Sequence, residues 1–292
     1  MELKLAVADY SFPLLEWEQS LRLAHEIGMD GVDIGLFAHG SHLQPDKILE
    51  SPAASAARAS TSLRAHGLKP ADVFGIPGAA FDQNAVNDPD PNTRKKSAEY
   101  FHRILEFTVR CGASHLTLLP GVHFPQEQKD DSLKRAAAEL EWRAQAAERA
   151  GVKCGIEPHL GSIVPTPEEA LQLLELAPTL TLTLDPSHFI RQGISNELAL
   201  TLVSRTSHVH ARCAREGRLQ APLRDNSIRF EKYLDSLNRH EYSGWMTVEY
   251  TWQEWERCNE VDILSETILL RNLLRAAQEN IASTRPDAGD KA

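Results

Sequence analysis

The sequence lacks the features of a membrane-spanning, secreted or disulfide-stabilised protein. No apolar run is long enough to cross a bilayer, and the N-terminal segment MELKLAVADY has no apolar stretch that would suit a secretory signal. The cysteines form no CxxC pair, and two of them fall within apolar, strand-like runs. We therefore expect buried thiols in a reducing cytoplasm. The four cysteines are Cys111, Cys154, Cys213 and Cys258.

The chain also lacks an excess of positive charge. Its 31 lysines and arginines are outnumbered by 41 aspartates and glutamates, which gives a formal net charge of −10 at pH 7. Because proteins that bind DNA or RNA present a basic face, this balance counts against a nucleic-acid partner. The length of 292 residues, 42% of them hydrophobic, suits one globular domain with a sizeable core.

Short apolar runs alternate with longer amphipathic stretches along most of the chain. This rhythm is typical of parallel β-strand and α-helix units, and eight such units close a barrel. A doubly wound open sheet is the competing architecture, but the glycine-rich turn that it usually carries after the first strand is replaced here by DYSFPL. The sequence predicts a single-domain (β/α)8 TIM barrel over residues 1–282, with residues 283–292 as a flexible tail. The eight apolar runs are 3–10, 31–37, 70–76, 115–121, 152–159, 180–188, 207–213 and 244–250.

The last four predicted strands each carry a polar residue near the carboxyl end. Successive side chains of a strand point to opposite faces. In LTLTLDPSH, the leucines share the face expected to meet the helices, so the threonines and the aspartate point to the barrel axis. The same alternation in the other three strands brings one acidic or imidazole side chain to the axis, where the active sites of such barrels lie. These four residues are Glu157, Asp185, His210 and Glu249.

Three carboxylates that converge in a poorly solvated space repel one another, and a divalent cation removes that repulsion. Oxygen ligands with one imidazole suit Mn²⁺, Mg²⁺ or Co²⁺ better than a structural zinc ion, and Mn²⁺ is our first choice. A single acidic residue at a strand end is commonly a helix cap or a surface carboxylate. The coincidence of four such residues on consecutive strands, with matching orientation, favours a shared metal site.

At these residues the sequence resembles the xylose isomerase-like barrels, which include sugar isomerases, ketose 3-epimerases, inosose dehydratases and endonuclease IV. The resemblance covers about residues 3–280 and is strongest in GIEPHLGSIVPTPEEA, LTLDPSHF, SHVHAR and GWMTVEY. It implies that Glu157, Asp185, His210 and Glu249 bind one divalent metal ion. It also implies that the two glutamates act as acid and base on opposite faces of the substrate.

The expected chemistry is the removal of a proton from a carbon next to a carbonyl group. A chelating metal stabilises the enediolate that this step creates, and a nearby carboxylate is the general base. Reprotonation on the other face gives an epimerase, and reprotonation on the neighbouring carbon gives an isomerase. Loss of a substituent from a keto-sugar, 3-keto-glycoside or inosose would instead make the protein a lyase or dehydratase.

One residue bears on that choice. The ketose 3-epimerases carry a further glutamate six residues after the first, where this chain has Ile163, and this chain has His159 instead. A histidine there resembles the dehydratase and lyase branch. His159 is therefore a candidate for a second acid or base, or for a proton donor to a leaving group, and equally for a partner that orients Glu157.

Several further residues are candidates for substrate contacts. The resemblance implies such contacts for His188 and for an arginine after the seventh strand, for which Arg212 is the inward-facing choice. Loop positions at the predicted catalytic end add three more candidates, which are His39, His123 and Trp252.

We expect a cytoplasmic enzyme that acts on a small carbohydrate, without nucleic acid or membrane partners, and a homo-oligomer is compatible with the sequence. Two other functional classes remain as alternatives to a sugar isomerase, epimerase or lyase. An endonuclease IV-like phosphodiester hydrolase would need several extra histidines for a trinuclear site, and these are missing near Asp225. A barrel that binds a sugar or metal without turnover is the other alternative.

Overall fold

Eight parallel strands close into a barrel, in which each strand pairs with its neighbours in sequence and the eighth pairs with the first. The structure is a computed structural model that describes residues 3–37 and 41–283. The fold is thus a single-domain TIM barrel, and the prediction of its class is confirmed. The strands are β1 (Lys4–Ala8), β2 (Gly31–Leu36), β3 (Lys69–Gly75), β4 (His115–Leu118), β5 (Lys153–Ile156), β6 (Thr181–Leu184), β7 (Thr206–Ala211) and β8 (Trp245–Val248).

The helices of the described residues surround this barrel. Most begin where the sequence pattern predicts, often with proline in the first turn, where a missing N–H costs nothing. The predicted boundary at 282/283 remains a prediction, because residues 284–292 lie outside the described part of the chain. The helices are α1 (Trp17–Glu26), α2 (Pro45–Glu50), α3 (Pro52–Ala65), α4 (Pro91–Cys111), α5 (Lys129–Arg149), α6 (Pro167–Leu176), α7 (Pro186–Arg191), α8 (Asn196–Leu200), α9 (Phe230–Arg239) and α10 (Ile263–Ser283).

Two segments differ from the sequence-based expectation. The amphipathic stretch at 46–66 predicts one helix, but the helix is divided at Ser51, because Pro52 cannot donate the hydrogen bond that would continue α2. The predicted strand at 180–188 ends at Leu184, and α7 begins at Pro186. Asp185 lies between the end of β6 and the start of α7, and it is the N-cap residue of α7.

The alternation of side chains in β6 shows how the barrel is built. Leu182 and Leu184 are buried in the apolar layer between the barrel and its helices. Thr183 points the other way, and its hydroxyl lies 2.7 Å from that of Thr117 on β4. A Cβ atom on Gly155 of β5 would lie only 2.8 Å from Oγ1 of Thr183, so only glycine fits beside this inward threonine.

The interior of the barrel has three layers along its axis. Ala6, Ala71 and Trp245 form an apolar cluster near the amino ends of the strands. A polar layer follows in the middle, and aromatic side chains lie beside the carboxyl ends of β1 to β3. The polar layer contains fully or almost fully buried side chains, namely Asp33, Asp72, His115, Thr117, Thr183, Ser207, His208 and Thr247.

All four cysteines are free and buried, as the sequence predicts. Burial raises the pKa of the Cys111 thiol to about 11 and that of Cys154 to about 12, so both are inert neutral thiols at physiological pH. Among the described residues, no helix combines the length and apolarity that crossing a membrane requires.

Candidate active site

A cavity of about 600 Å³ opens at the carboxyl ends of the strands. This is the end of the barrel on which the predicted residues were expected to converge, and the volume lies within the range of small-molecule sites. Six of the predicted residues line this cavity, which are Glu157, His159, His188, Arg212, Glu249 and Trp252.

Glu157, His210 and Glu249 form one cluster on the cavity floor. Nδ1 of His210 lies 2.6 Å from Oε1 of Glu157 and 3.6 Å from Oε2 of Glu249. The hydroxyl of Tyr10, which follows β1, donates a 2.9 Å hydrogen bond to the other oxygen of Glu249. The Nδ1 edge of the imidazole therefore faces two glutamates, which follow β5 and β8.

Asp185 is the next acidic group, and it has two separate roles. Its Oδ1 atom accepts the backbone N–H of Ser187 at 2.9 Å, which caps α7. Its Oδ2 atom accepts both Nε and Nη2 of Arg212, at 3.0 and 2.5 Å. Nη2 of Arg212 also lies 3.1 Å from Oε2 of Glu249, so one guanidinium bridges two of the predicted metal ligands.

The donor set fits a divalent cation. Glu157, His210 and Glu249 each offer a ligand atom within 4.8 Å of the others, and Glu157, Asp185 and His188 form a second such group. The two groups share Glu157, so one ion bound there is close to both. Oε2 of Glu249 accepts no hydrogen bond among the described residues, although Nη2 of Arg212 lies 3.1 Å away, so the fit to a cation rests on the chemistry of the carboxylate and imidazole donors.

Burial and the charges of neighbouring groups shift the pKa values of the side chains in this cluster. Burial, with the charge of Glu249, raises the pKa of Glu157 to about 7. Burial raises the pKa of Asp185, but the Arg212 guanidinium, together with His188, His210 and the hydrogen bond from Ser187, outweighs it and lowers this pKa to about 2. Burial opposes a charge on His210, yet the nearby carboxylates, Glu249 foremost, raise its pKa well above the ordinary value. The protein itself therefore supplies two positive groups, His210 and Arg212, against its buried carboxylates.

His159 lines the cavity, and one of its ring nitrogens makes a structural contact. Its Nδ1 atom lies 2.7 Å from the carbonyl oxygen of Leu160, so this nitrogen is the donor. Nε2 is buried without a hydrogen-bond partner among the described residues, and it is the acceptor nitrogen of the neutral ring. Burial lowers the pKa of His159 to about 4, which keeps the ring neutral near pH 7.

The neighbouring histidine is fixed by the same backbone segment. The N–H of Leu160 donates to Nδ1 of His188 at 3.3 Å, and Nε2 of His188 lies 3.3 Å from Nη2 of Arg212. The rings of His159 and His188 are 5.9 Å apart and steeply inclined to each other. Both imidazoles therefore border the cavity next to the carboxylates, where a bound molecule would meet them.

Two predicted substrate contacts are not part of this arrangement. The structure places His123 on the exposed surface after β4, with Nε2 lying 3.2 Å from the carbonyl oxygen of Glu127, and it does not line the cavity. The loop after β4 directs this side chain outwards, which a strand-end position alone does not show. His39 lies outside the described residues.

Two residues near the site were not predicted from the sequence. Oδ2 of Asp33, on β2, lies 2.7 Å from Nε2 of His208 and 3.3 Å from Nε2 of His210. Tyr10 holds Glu249 through the hydrogen bond from its hydroxyl. The sequence holds one feature that could have indicated each of them. Asp33 is the single charged residue in the apolar run GVDIGLF, and Tyr10 lies just after β1.

The comparisons with known proteins agree with this architecture. The chain matches the family model described as xylose isomerase-like TIM barrel over residues 21–276. No curated protein sequence gives a match.

Among solved structures, the chain is similar to a D-psicose 3-epimerase from Clostridium cellulolyticum H10, solved with D-tagatose. The identity is 13%, the alignment covers 94% of this chain and 99% of that one, and the TM-score is 0.75. It is also similar to an IolI protein with a bound zinc atom, at 18% identity, coverage of 98% and 100%, and a TM-score of 0.70.

A third similar structure is the probable 3-DHS dehydratase AsbF from Bacillus anthracis, at 13% identity, coverage of 92% and 99%, and a TM-score of 0.68. At these identities the solved structures show a shared fold, while the family match extends over most of the sequence. The chain belongs to the xylose isomerase-like TIM barrel family.

Proposed function

We propose that this protein is a divalent-metal-dependent sugar isomerase or epimerase, which removes a proton from the carbon next to a substrate carbonyl group. The observation that carries the proposal is that Glu157 and Glu249 both line the cavity and both approach Nδ1 of His210. Both glutamates border the space where substrate would bind. Similar folds that include a sugar epimerase and a zinc-bound protein support this proposal.

The residues proposed to hold the ion are Glu157, Asp185, His210 and Glu249. Mn²⁺ suits these ligands, and Mg²⁺ or Co²⁺ also would. When bound, the ion supplies positive charge that stabilises negative charge developing on substrate oxygens.

The side chains of the chain itself then bind the sugar and move the proton. Glu157 and Glu249 are the proposed base and acid, one for each face of the substrate carbon, because they reach the cavity from different strands. Tyr10 restricts Glu249 by its hydrogen bond, which keeps that carboxylate aimed at the cavity. His188 and Arg212 are the proposed partners of substrate oxygens, and Trp252 is a proposed wall of the site.

A metal-dependent lyase or dehydratase is the alternative, and the dehydratase among the similar folds supports it. In that reaction His159 would donate a proton to the leaving group. Its hydrogen bond to the Leu160 carbonyl makes Nε2 an acceptor, which suits a substrate hydroxyl better than a leaving group. The geometry of His159 therefore favours isomerisation or epimerisation over elimination.

The test is incubation of Mn²⁺-loaded protein with a panel of ketoses and 3-keto-glycosides, followed by product analysis. We expect a product with the same elemental composition as its substrate. Glu249→Gln should lower kcat by about 100-fold or more with an unchanged circular dichroism spectrum, since general acid–base groups contribute about 10²- to 10⁴-fold. Glu254→Gln, on the exposed segment after β8, is the matched control and should keep full activity. A fully active Glu249→Gln variant, or release of water or an aglycone as the main reaction, would contradict the proposal.

A further inference from the structure

The walls of the cavity differ sharply in chemistry. The charged and imidazole groups on its surface follow β5 to β8, as described above. The opposite wall, which follows β1 to β4, contributes Phe37, Phe74, Ile76 and Leu119 among the described residues. Tyr10 belongs to this wall as well, but its hydroxyl is already used by Glu249. One half of the cavity is polar and the other half is apolar.

The apolar wall is held in place by contacts between its own rings. The ring centroids of Tyr10 and Phe37 lie 4.7 Å apart, and those of Phe37 and Phe74 lie 5.2 Å apart, both edge to face. These are favourable aromatic geometries, so the rings support one another without a ligand. The wall is therefore a preformed apolar surface.

A second aromatic group lies at the rim of the cavity. Phe81, in the loop before α4, packs 4.5 Å from the ring of His159 and 5.8 Å from that of Trp255. Trp252 and Trp255 line the cavity and leave 49% and 37% of their surface exposed. Because both indoles line the cavity, a ligand bound there would contact exposed aromatic surface.

The segment that carries Trp255 is fixed in an unusual conformation. Glu256 and Arg257, neither of them glycine, have positive φ angles of 53° and 59°. Such backbone costs free energy and persists where its surroundings hold it. Here Nε of Arg191 donates to Oε2 of Glu256 at 2.8 Å and ties the segment to the end of α7. The indole of Trp255 is thus held at the cavity mouth.

We propose that the cavity takes a keto-glycoside with an aromatic aglycone, whose oxidised sugar ring lies on the polar half while the aglycone lies between Phe81, Trp255 and the apolar wall. The keto group of that ring is the carbonyl that the proposed proton removal requires. This proposal rests on the proposed function, because it assigns the substrate class of the same site. A free monosaccharide carries hydroxyl groups around its ring, and those directed at the apolar wall would lose their hydrogen bonds with water and gain none. A molecule with one polyhydroxylated end and one flat apolar end matches both halves, and a cavity of about 600 Å³ accepts a ligand of that size.

The experiment is calorimetric binding of defined probes to the Mn²⁺-loaded protein. The probes are phenyl, hexyl and methyl glucosides, each as both anomers, together with glucose. We expect one phenyl glucoside to bind about 10-fold more tightly than the corresponding methyl glucoside and more tightly than the hexyl glucoside, because stacking on aromatic rings adds to apolar burial. Equal affinity for the phenyl and methyl glucosides would overturn the proposal. Tighter binding of the hexyl than of the phenyl glucoside would contradict the claim that the aglycone is aromatic.

Two variants test whether the preference for the phenyl probe depends on Phe81 and Trp255 at the rim of the cavity. Trp255→Ala and Phe81→Ala should each abolish most of the preference for the phenyl probe while the circular dichroism spectrum stays unchanged. Leu269→Ala, an exposed apolar position on α10, is the control and should keep that preference. The preference is measured as binding and needs no turnover, so failure of the catalytic proposal would be distinguishable from failure of this one. A phenyl preference that survives both Trp255→Ala and Phe81→Ala would show that the aglycone does not bind at this rim.

Discussion

Asp33 holds a negative charge against the inner side of the His210 ring, with Oδ2 of the aspartate 3.3 Å from Nε2 of the imidazole. The contact has ion-pair distance without hydrogen-bond geometry, and the same oxygen is 2.7 Å from Nε2 of His208. A carboxylate at this nitrogen favours its protonation and leaves Nδ1, on the cavity side, as the nitrogen for a metal ion. Asp33 is thereby a positioning residue for the proposed metal site.

The first prediction concerns this carboxylate. Asp33→Asn should weaken Mn²⁺ binding by about 10- to 100-fold, because partners of metal-ligating histidines typically contribute that much affinity. Isothermal titration of the metal-free protein with Mn²⁺ measures the effect. Asp72→Asn is the matched control, since Asp72 lies on the adjacent strand and pairs with His115 at 2.7 Å instead of with a proposed ligand. If Asp33→Asn binds Mn²⁺ as tightly as the wild type, Asp33 does not position the proposed metal site.

The second prediction concerns the ion pair of Asp185 and Arg212, in which both side chains are buried. Arg212→Met should lower the free energy of unfolding by about 3–5 kcal/mol, because it leaves a buried carboxylate without its cation. The double variant Asp185→Asn/Arg212→Met should recover much of that loss, since asparagine is neutral and still caps α7. Urea unfolding of the metal-free proteins measures both.

Arg215→Met, at an exposed position, is the control for this pair and should change the free energy of unfolding by less than about 0.5 kcal/mol. If the double variant is no more stable than Arg212→Met alone, the loss does not come from an uncompensated charge on Asp185.

Much of the barrel and part of its site could be predicted from the sequence. The apolar runs locate all eight strands, and the alternation within them directs Glu157, His210 and Glu249 to one place at the barrel axis. These features are local, because a strand's period of two fixes which side chains point inwards. The roles of these residues remain predictions, but the pattern of the strands is enough to predict their shared position on the cavity floor.

Other features depend on contacts between distant parts of the chain. The pairing of Asp33 with His208 joins residues 175 positions apart, and nothing local in GVDIGLF indicates it. The interaction of Phe81 with Trp255 depends on two loop conformations. Asp185 was predicted as a metal ligand, while its cap on α7 and its ion pair with Arg212 required the structure.

The third prediction follows from Asp9, a buried residue directly after β1. Burial raises the pKa of Asp9 to about 8, although the N–H of Gly35 donates to Oδ1 at 2.9 Å and acts in the opposite direction. The folded protein therefore keeps this proton between about pH 4 and pH 8, where the unfolded chain has lost it. This contribution to stability is complete below about pH 4 and is lost as the pH rises towards about 8, by at most about 1.4 kcal/mol per pH unit.

Asp9→Asn imitates the protonated acid at every pH, so the free energy of unfolding should fall less between pH 5 and pH 8 in this variant than in the wild type. Urea unfolding at the two pH values measures the difference. Asp235→Asn, at an exposed position on α9, should show the pH dependence of the wild type. Parallel curves for the wild type and Asp9→Asn would mean that Asp9 is ionised in the folded protein at both pH values.

Glu157 and Glu249 are proposed to remove and return a proton at the carbon next to a carbonyl group. The most direct test is turnover in D₂O, by the Mn²⁺-loaded protein, of a ketose or 3-keto-glycoside that it accepts, with the product examined by proton NMR and mass spectrometry. We predict deuterium in the wild-type product, at the same carbon for epimerisation or at the former carbonyl carbon for isomerisation, and loss of this exchange in Glu157→Gln and Glu249→Gln. A product that keeps its original carbon-bound hydrogen throughout turnover would contradict the claim.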